Sequence, residues 1–133
     1  MYGQLEVDAG DVLSIEEARA VVQRFRAYPD YKLYVACLDA AVVGTFALLI
    51  MDNLAHRGAR SAVVEDVVVV AAHQGRGIGR QMMRFALERC REAGCYKMAL
   101  SSNRRRAAAH RFYESLGFVR HGYSFSMEME GGE

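Results

Sequence analysis

Apolar residues recur at two different spacings along the chain, and the spacing predicts which segments are helices and which are strands. Ser14 and Glu17 have the pattern of a capping box, in which each side chain accepts a hydrogen bond from the backbone N–H of the other. Pro29 and Asp30 predict the end of the helix that begins there. Its apolar residues have helical spacing: Ile15, Ala18, Val21, Val22 and Phe25.

Three strands are predicted in the first 72 residues. Residues 33–39 and 42–51 each have strand composition, and the short turn between them indicates an antiparallel hairpin. After a polar loop, residues 52–61, comes the apolar segment 62–72, which is rich in β-branched residues. A strand that is apolar on both faces is typical of the centre of a sheet, so this segment is predicted to lie inside the sheet.

The second half of the chain predicts two more helices and two more strands. An apolar helical stripe ends before Gly94, which suits the position just after a helix. A strand over residues 95–101, a helix over residues 107–116 and a strand over residues 118–129 follow. The last strand would place one set of side chains on a single face: Tyr123, Phe125, Met127 and Met129. This order predicts an α/β or α+β sheet with helices on its faces.

Length and composition indicate one globular domain over residues 1–133, with 52% hydrophobic and 25% charged residues. The net charge of +1 does not favour a nucleic-acid or membrane surface. We expect neither a signal peptide nor a membrane span, because the N-terminal residues are acidic and the apolar runs are short. The three cysteines have no metal or redox spacing, so we expect reduced thiols, a cytoplasmic location and no metal.

The segment HQGRGIGR, residues 73–80, indicates an anion-binding turn. It follows a buried strand and precedes a helix, whose first N–H groups have no partner within the helix and lie at the positive end of the helix dipole. It is not a P-loop, because no Gly-Lys-Ser/Thr closes it, and it lacks the third glycine of a dinucleotide fingerprint. Arg76 and Arg80 add positive charge, so a pyrophosphate would fit this turn.

Residues 74–79, QGRGIG, resemble the Q/R-x-x-G-x-G/A signature of the GNAT family of N-acetyltransferases, which holds the pyrophosphate of acetyl-coenzyme A (acetyl-CoA). Residues 109–118 resemble the later A-x-x-F-Y-x-x-x-G-F motif of the same family. Residues 100–113 are similar to aminoalkylphosphonate N-acetyltransferases, and residues 65–69 and 94–97 are similar to glucosamine-6-phosphate N-acetyltransferases.

The resemblance implies an acetyl-CoA-dependent enzyme with the GNAT fold, a central mixed, mostly antiparallel sheet flanked by helices. It also implies that the strand before the glycine turn separates from its neighbour, pairs with the pantetheine chain and supplies an N–H to the oxyanion. The residues implied to contact acetyl-CoA are Val67, Val68, Val69, Gln74, Gly75, Arg76, Gly77, Ile78, Gly79, Arg80, Asn103, Arg106, Ala109 and Phe112.

Three residues are candidates for acid and base catalysis. The resemblance implies that Tyr113 donates a proton to the leaving sulfur, although a residue of this kind could also simply pack in the core. Glu65 and Asp66 are the acids inside an apolar strand. Burying a carboxylate without a partner costs free energy, so their presence there indicates a functional or structural role. Strand alternation lets at most one of them face the substrate. Glu65 is favoured as the base, because it is two residues from Val63 and therefore on the same strand face. The resemblance implies that the family usually has its acid at the Val63 position. The choice between Glu65 and Asp66 stays open.

Four residues are candidates for binding the acceptor: Asn53, His56, Arg57 and His110. The first three lie in the polar loop and could bind an anionic group, and His110 precedes Tyr113 by three residues. A structural role for His110 is an alternative. The arginine run at residues 104–106 could be a solvated loop or an anion site, and both interpretations stay open.

The favoured function is therefore transfer of an acetyl group from acetyl-CoA to a primary amine of a small molecule, including amines that carry an anionic group. Two alternatives remain, an acetyltransferase of protein N-termini or lysines and a non-catalytic acyl-CoA-binding module. The exposed edge and apolar face of the last predicted strand also indicate a homodimer.

Overall fold

The structure is a computed structural model that describes residues 12–102 and 105–129. These residues form two compact units, one that ends at Leu100 and one that begins at Ser101. The first unit holds a four-stranded sheet with two α-helices, and the second holds one α-helix. The predicted architecture of a mixed sheet flanked by helices is confirmed, whereas the prediction of a single domain over residues 1–133 remains a prediction.

Helix α1 spans Ile15–Phe25 and begins at the predicted capping box. Ser14 Oγ accepts a hydrogen bond from the Glu17 N–H at 3.1 Å, and Glu17 Oε1 accepts one from the Ser14 N–H at 3.0 Å. The bond from the Ser14 N–H, and after it the Ser14 hydroxyl, stabilise the charged carboxylate and lower the pKa of Glu17. At the other end of the helix, the Phe25 ring stacks on Tyr31 with centroids 4.0 Å apart, which attaches α1 to the sheet.

The strands follow one another across the sheet in chain order: β1 (Tyr31–Leu38), β2 (Ala41–Met51), β3 (Arg60–Val69) and β4 (Cys95–Ala99). β1 and β2 form the predicted antiparallel hairpin, β2 and β3 are also antiparallel, and β3 and β4 are parallel. Asp39 and Ala40 form the hairpin turn with φ angles of 50° and 66°. Positive φ at both positions matches the twist of the strands. β3 has the inner position that its sequence predicts.

Helix α2 (Ile78–Glu92) connects β3 to β4 and covers one face of the sheet. Leu48 of β2, Val64 of β3 and Met83 of α2 are the largest fully buried side chains, so they mark the centre of the core. Gly94 follows the helix with a φ angle of 77°, as its predicted place after the C-cap requires.

The unit that begins at Ser101 contains helix α3 (Ala107–Ser115). Two backbone N–H groups, of Leu116 and Phe118, donate to the Tyr113 carbonyl at 3.0 and 3.1 Å and close the helix. Gly117 has a φ angle of 99°, as expected for the glycine that ends this helix. Asn103 and Arg104 lie outside the described residues.

The predicted strand over residues 118–129 is wrong, because the structure gives residues 119–129 no strand. Tyr123 and Phe125 are each 92% exposed, and Met127 and Met129 are also exposed. Alternation shows which side chains could share a face, but a strand also needs a neighbour that bonds its N–H and C=O groups. Within residues 105–129, no such neighbour is present.

Candidate active site

The glycine turn joins the end of β3 to the start of α2. A short 3₁₀ turn, Ala71–His73, follows β3, and Gly75 and Gly77 then take φ angles of 80° and 81°. Only glycine adopts this conformation without strain. A Cβ atom built on either glycine would have no atom within 4 Å. The turn therefore needs glycine for its backbone conformation and leaves open space on its outer side.

The N-terminus of α2 presents its first backbone N–H groups to this open space. Gly77 is the N-cap and provides no side-chain hydrogen bond to them. The first i→i−4 bond of the helix is the one that the Gln81 N–H donates to the Gly77 carbonyl at 3.0 Å, so the N–H groups of Ile78 and Gly79 precede the hydrogen-bonded helix. Gln74 Nε2 donates to the Val69 carbonyl at 3.0 Å and ties the turn to β3. These donors fit a diphosphate.

The edge of β3 that faces β4 is open over its second half. Parallel pairing between the two strands ends where Val63 lies beside Ala99, which is also the last residue of β4, whereas β3 continues to Val69. From Val64 onward, no described strand pairs with this edge. An extended ligand chain can bind an open edge as an additional strand.

Two of the three valines predicted to contact acetyl-CoA direct their backbone groups to the open edge. Successive strand residues point their N–H and C=O groups to alternate sides. The Val70 N–H donates to the Val43 carbonyl on the β2 side at 2.8 Å. The groups of Val68 therefore point toward β2, and those of Val67 and Val69 point toward the open edge. The Val69 carbonyl already accepts the hydrogen bond from Gln74. The Val69 N–H and the N–H and C=O of Val67 can therefore bond a ligand.

A β-bulge interrupts β3 next to this edge. Ala47 of β2 lies opposite Glu65 and Thr45 lies opposite Val68, so two steps along β2 match three along β3. Asp66 lies in the bulge with a φ angle of 55°. Bulges re-aim side chains and are frequent beside active sites. The regular alternation that the sequence analysis assumed for Glu65 and Asp66 therefore stops at Asp66.

Glu65 is an exposed side chain whose pKa is raised. Partial burial is the larger cause, and the negative charge of Asp66 is the second. Both disfavour the ionised form of the carboxyl. A raised pKa brings a carboxylate closer to the basicity that proton abstraction at neutral pH requires. Glu65 and Asp66 thus lie side by side at the bulge, and the assignment of one of them as the base remains a prediction.

Tyr31 of β1 belongs to the same area and was not a candidate in the sequence analysis. Its pKa is raised, first by burial and then by the negative charges of Asp66 and Glu65. Its ring stacks on Phe25 and makes an edge contact with Tyr28 at 5.3 Å between centroids. The three-residue spacing of these aromatic residues around the end of α1 was the available sequence signal.

The unit that begins at Ser101 carries the predicted acid. Tyr113 on α3 packs against Phe112 and Phe118, with ring centroids 5.3 and 5.7 Å away. Burial raises the pKa of the phenol, and the nearby positive charge of Arg106 opposes the shift. The phenol is therefore protonated at neutral pH and can donate a proton. The same helix and its N-cap carry the other predicted residues of this unit: Arg106, Ala109, His110 and Phe112.

The loop predicted to bind the acceptor lies at the other end of β3. Asn53 Nδ2 donates to the Ala59 carbonyl and to Ser61 Oγ, both at 3.0 Å, so its amide holds the loop together. His56 stacks on Tyr96 with centroids 4.2 Å apart, and Arg57 has a φ angle of 58°. Five strand residues at about 3.3 Å each separate the start of β3 from Glu65, roughly 16 Å. Asn53, His56 and Arg57 are therefore not brought together with Glu65.

A cavity of about 340 Å³ opens on the face of the sheet that α2 covers. Its lining includes Arg76 from the glycine turn and the rings of Phe46 and Phe85, each of which contacts the ring of Tyr34. Phe46 and Ala47 are neighbours in β2 and point to opposite faces. Because Glu65 shares the side of Ala47, this cavity is on the face opposite to the Glu65 carboxylate.

Among residues 12–102 and 105–129, no three His, Cys, Asp or Glu side chains are grouped so that they could hold a metal ion. The helices described in these ranges are too short or too polar to cross a membrane.

Comparisons with known proteins agree with this geometry. The sequence model described as "Acetyltransferase (GNAT) family" matches residues 4–118. The chain is 31% identical over 114 residues to a glucosamine 6-phosphate N-acetyltransferase of Trypanosoma brucei brucei, covering 86% of this chain and 76% of that protein. It is 31% identical over 98 residues to an aminoalkylphosphonate N-acetyltransferase of Salmonella typhimurium, covering 74% of this chain and 63% of that protein.

A solved structure of an acetyltransferase from Trypanosoma brucei has a TM-score of 0.79 at 27% identity, over 94% of this chain and 87% of that one. The chain spans 76% of the length of the curated Trypanosoma relative and 63% of the length of the Salmonella relative.

Proposed function

The chain belongs to the GNAT family of acetyl-CoA-dependent acetyltransferases, and we propose that it transfers the acetyl group of acetyl-CoA to the primary amine of a small molecule. One observation carries the proposal: the open edge of β3 leads directly into the glycine turn and the N-terminus of α2. A strand edge for an extended amide chain and a helix N-terminus for a diphosphate are thus adjacent. The names of the two curated relatives support a small acceptor.

Binding of acetyl-CoA is assigned mainly to backbone groups. The N–H and C=O groups of Val67 and the N–H of Val69 bond the pantetheine amides, and the N–H groups of residues 75–80 hold the diphosphate. Arg76 and Arg80 add positive charge beside it. When bound, acetyl-CoA supplies an acetyl thioester, whose carbonyl carbon is the electrophile. The Val67 N–H stabilises the oxyanion, a contribution of typically ~2.7–4 kcal/mol to the barrier.

Proton transfer is assigned to two side chains. Glu65 accepts a proton from the acceptor ammonium, directly or through a water, and the neutral amine nitrogen then forms the C–N bond while the C–S bond breaks. Tyr113 donates its phenolic proton to the departing sulfur, and the second proton of the acylated nitrogen returns through water to the tyrosinate, so that a neutral amide and a thiol are released. The raised pKa of Glu65 and the protonated state of Tyr113 at neutral pH support these roles. His110, one helical turn from Tyr113, is assigned to the acceptor side.

An acceptor that carries an anionic group would extend from Glu65 toward side chains that can donate hydrogen bonds to it. The polar loop offers His56 and Arg57 at its end of β3, roughly 16 Å away, so only an elongated acceptor would reach them from Glu65. We propose no metal, nucleic-acid or membrane partner.

Assembly and location are also proposals. The exposed apolar residues of the segment 123–129 support a homodimer, because a second copy could cover them. The free thiols of Cys37, Cys90 and Cys95 support a cytoplasmic location, where thiols stay reduced.

The function is tested by mixing the purified protein with acetyl-CoA and a panel of small amines and measuring thiol release. Release that depends on the amine supports the proposal. Release only with peptides that offer an N-terminus or a lysine would replace the small acceptor with a protein. Binding of acetyl-CoA in a calorimetric titration, without release for any amine or peptide, would instead indicate a non-catalytic acyl-CoA-binding module.

A further inference from the structure

Two of the three cysteines lie on opposite sides of the turn that ends α2. Cys90 belongs to the last turn of the helix, and Cys95 is the first residue of β4. Between them, Ala93 is the C-cap and Gly94 takes a φ angle of 77°, which turns the chain back toward the sheet. The C-x-x-x-x-C spacing is not a redox or metal motif, so the sequence did not mark the pair.

The geometry of this helix end brings the two side chains together. The Gly94 N–H donates to the Arg91 carbonyl at 3.1 Å, which is one of the two hydrogen bonds of a Schellman helix end. In such an end, the side chain three residues before the C-cap commonly contacts the side chain two residues after it. With Ala93 as the C-cap, these two positions are Cys90 and Cys95.

The two thiols also share a hydrogen bond, and it has a direction. Burial, the largest cause, and the neighbouring Cys95 thiol raise the pKa of Cys90 to about 12. Burial also raises the pKa of Cys95, but the hydrogen bond with Cys90 and the positive charge of Arg60 oppose this shift. The Cys90 thiol is therefore the donor and the Cys95 sulfur is the acceptor, so Cys95 ionises more readily.

The two thiols differ in their access to solvent. Cys90 is only 4% exposed, whereas Cys95 is half-buried. Thiol–disulfide exchange requires a thiolate that the second reactant can reach. A small disulfide in solution therefore meets Cys95 first, and the Cys90 thiol is in contact with the sulfur that would react.

Cys37 provides an internal reference, because it is an exposed thiol far from the other two. It pairs with Val42 of β2, beyond Gly44, which lies opposite the last residue of β3. Cys95 lies beside Arg60, at the start of β3. The length of β3 thus separates Cys37 from Cys95 by roughly 30 Å, at about 3.3 Å per strand residue. Cys37 can react with a small disulfide but cannot bond to Cys95 of the same chain.

From this arrangement we propose that Cys90 and Cys95 form a reversible oxidation site, at which a small disulfide converts the two thiols into an intramolecular disulfide. The Cys95 thiolate attacks one sulfur of the small disulfide, breaks its S–S bond and releases one small thiol, which takes the Cys95 proton. Cys90 then attacks the Cys95 sulfur of the mixed disulfide and releases the second small thiol, which takes the Cys90 proton. The protein thiols lose two electrons, and the small disulfide gains them.

The role of the pair is protective and lies apart from the proposed acetyl-CoA site. Cys90 lies twelve residues after Ile78 in α2, roughly 18 Å at about 1.5 Å per residue. The bond therefore leaves the N–H groups of the glycine turn in place and prevents lasting attachment of a small thiol to Cys95. In a reducing compartment, both thiols return to the reduced state.

Incubation of the folded, reduced protein with oxidised glutathione tests the proposal, followed by alkylation of the remaining thiols and mass spectrometry. We expect one attached glutathione, on Cys37, and a bond between Cys90 and Cys95 that removes two hydrogen atoms. Trypsin cleaves after Arg91, so this bond appears as a link between the peptides that contain Cys90 and Cys95. Dithiothreitol should reverse both changes, and an unchanged circular dichroism spectrum shows that the protein stays folded.

Two variants separate the steps. Cys90→Ala removes the second thiol and keeps a small apolar side chain in its place. It should carry glutathione on both Cys37 and Cys95, because the mixed disulfide cannot close. The matched control Cys37→Ala should form the bond between Cys90 and Cys95 with no glutathione attached. After this oxidation, Cys37→Ala should bind acetyl-CoA in a calorimetric titration as tightly as before.

Three results would overturn the oxidation site and leave the acetyltransferase function intact. They are lasting glutathione on Cys95 of the wild type, unmodified Cys90 and Cys95 while Cys37 reacts, and a bond that forms only in urea. A lower affinity for acetyl-CoA after oxidation of Cys37→Ala would contradict the separation of the pair from the glycine turn. Because bond formation is measured without acetyl-CoA, failure of the proposed function would not affect it.

Discussion

Gly77→Ala tests the glycine turn, and Gly94→Ala provides a matched control at the opposite end of the same helix. The two glycines have φ angles of 81° and 77°, and a Cβ atom on either would meet no protein atom within 4 Å. Alanine in this left-handed conformation costs roughly 1–2 kcal/mol. Both variants should therefore lose about the same free energy of unfolding. Only at Gly77 would the added methyl group lie where a diphosphate approaches the backbone.

The expected loss of affinity follows from the same geometry. A hydrogen bond from an N–H group to a charged partner contributes about 1.5–3 kcal/mol, so losing one such bond weakens binding roughly 10- to 150-fold. Calorimetric titration with acetyl-CoA should show this loss for Gly77→Ala and wild-type affinity for Gly94→Ala, while urea unfolding shows similar destabilisation of both. Equal affinities of the two variants would refute the assignment of the turn.

Three further predictions concern the remaining parts of the site. Tyr113→Phe should lower kcat about 100-fold or more, as expected for loss of a general acid, and leave the affinity for acetyl-CoA unchanged. The control Tyr123→Phe, in the exposed C-terminal segment, should change neither kcat nor this affinity. An unchanged kcat in Tyr113→Phe would remove Tyr113 from the mechanism. Because the pKa of Glu65 is raised, kcat/KM should fall as the pH drops through a value above the usual ~4.3 of a glutamate, since the base becomes protonated. Asp66→Asn should move this limb to lower pH, and a pH–rate profile with an unmoved limb would contradict the coupling of the two acids. Asn53→Ala should lower the free energy of unfolding by roughly 1–2 kcal/mol, because two hydrogen bonds of the loop are lost; an unchanged urea midpoint would show that they contribute little.

The features that the sequence predicted well depend on neighbours in the chain. The capping box needs only Ser14 and Glu17, three residues apart. The glycine turn needs Gly75 and Gly77 between an apolar strand and an amphipathic helix. The hairpin needs two strands and a short turn. In each case, the residues that decide the conformation lie within one segment, so local propensity and spacing were sufficient.

The features that the sequence missed depend on partners far apart in the chain. The bulge at Asp66 arises from the register between β3 and β2, which the alternation within β3 does not reveal. Tyr31 and Glu65 share a face of the sheet only because Tyr31 pairs with Leu49 and Glu65 pairs with Ala47, two residues apart in β2. The alternating segment that contains Tyr123 and Phe125 predicts a strand, but residues 105–129 contain no strand that could pair with it. The distance between Asn53 and Glu65 likewise follows from the antiparallel direction of β2 and β3.

The central claim is that backbone N–H groups along the open edge of β3 and around the glycine turn bind acetyl-CoA. An NMR titration of ¹⁵N-labelled protein with acetyl-CoA tests it most directly, because each N–H group gives its own signal. We expect the largest shifts for the amides of Val67, Val69, Gly75, Gly77 and Gly79, with the Gly94 amide unchanged. Binding that shifts other amides and leaves these five in place would contradict it.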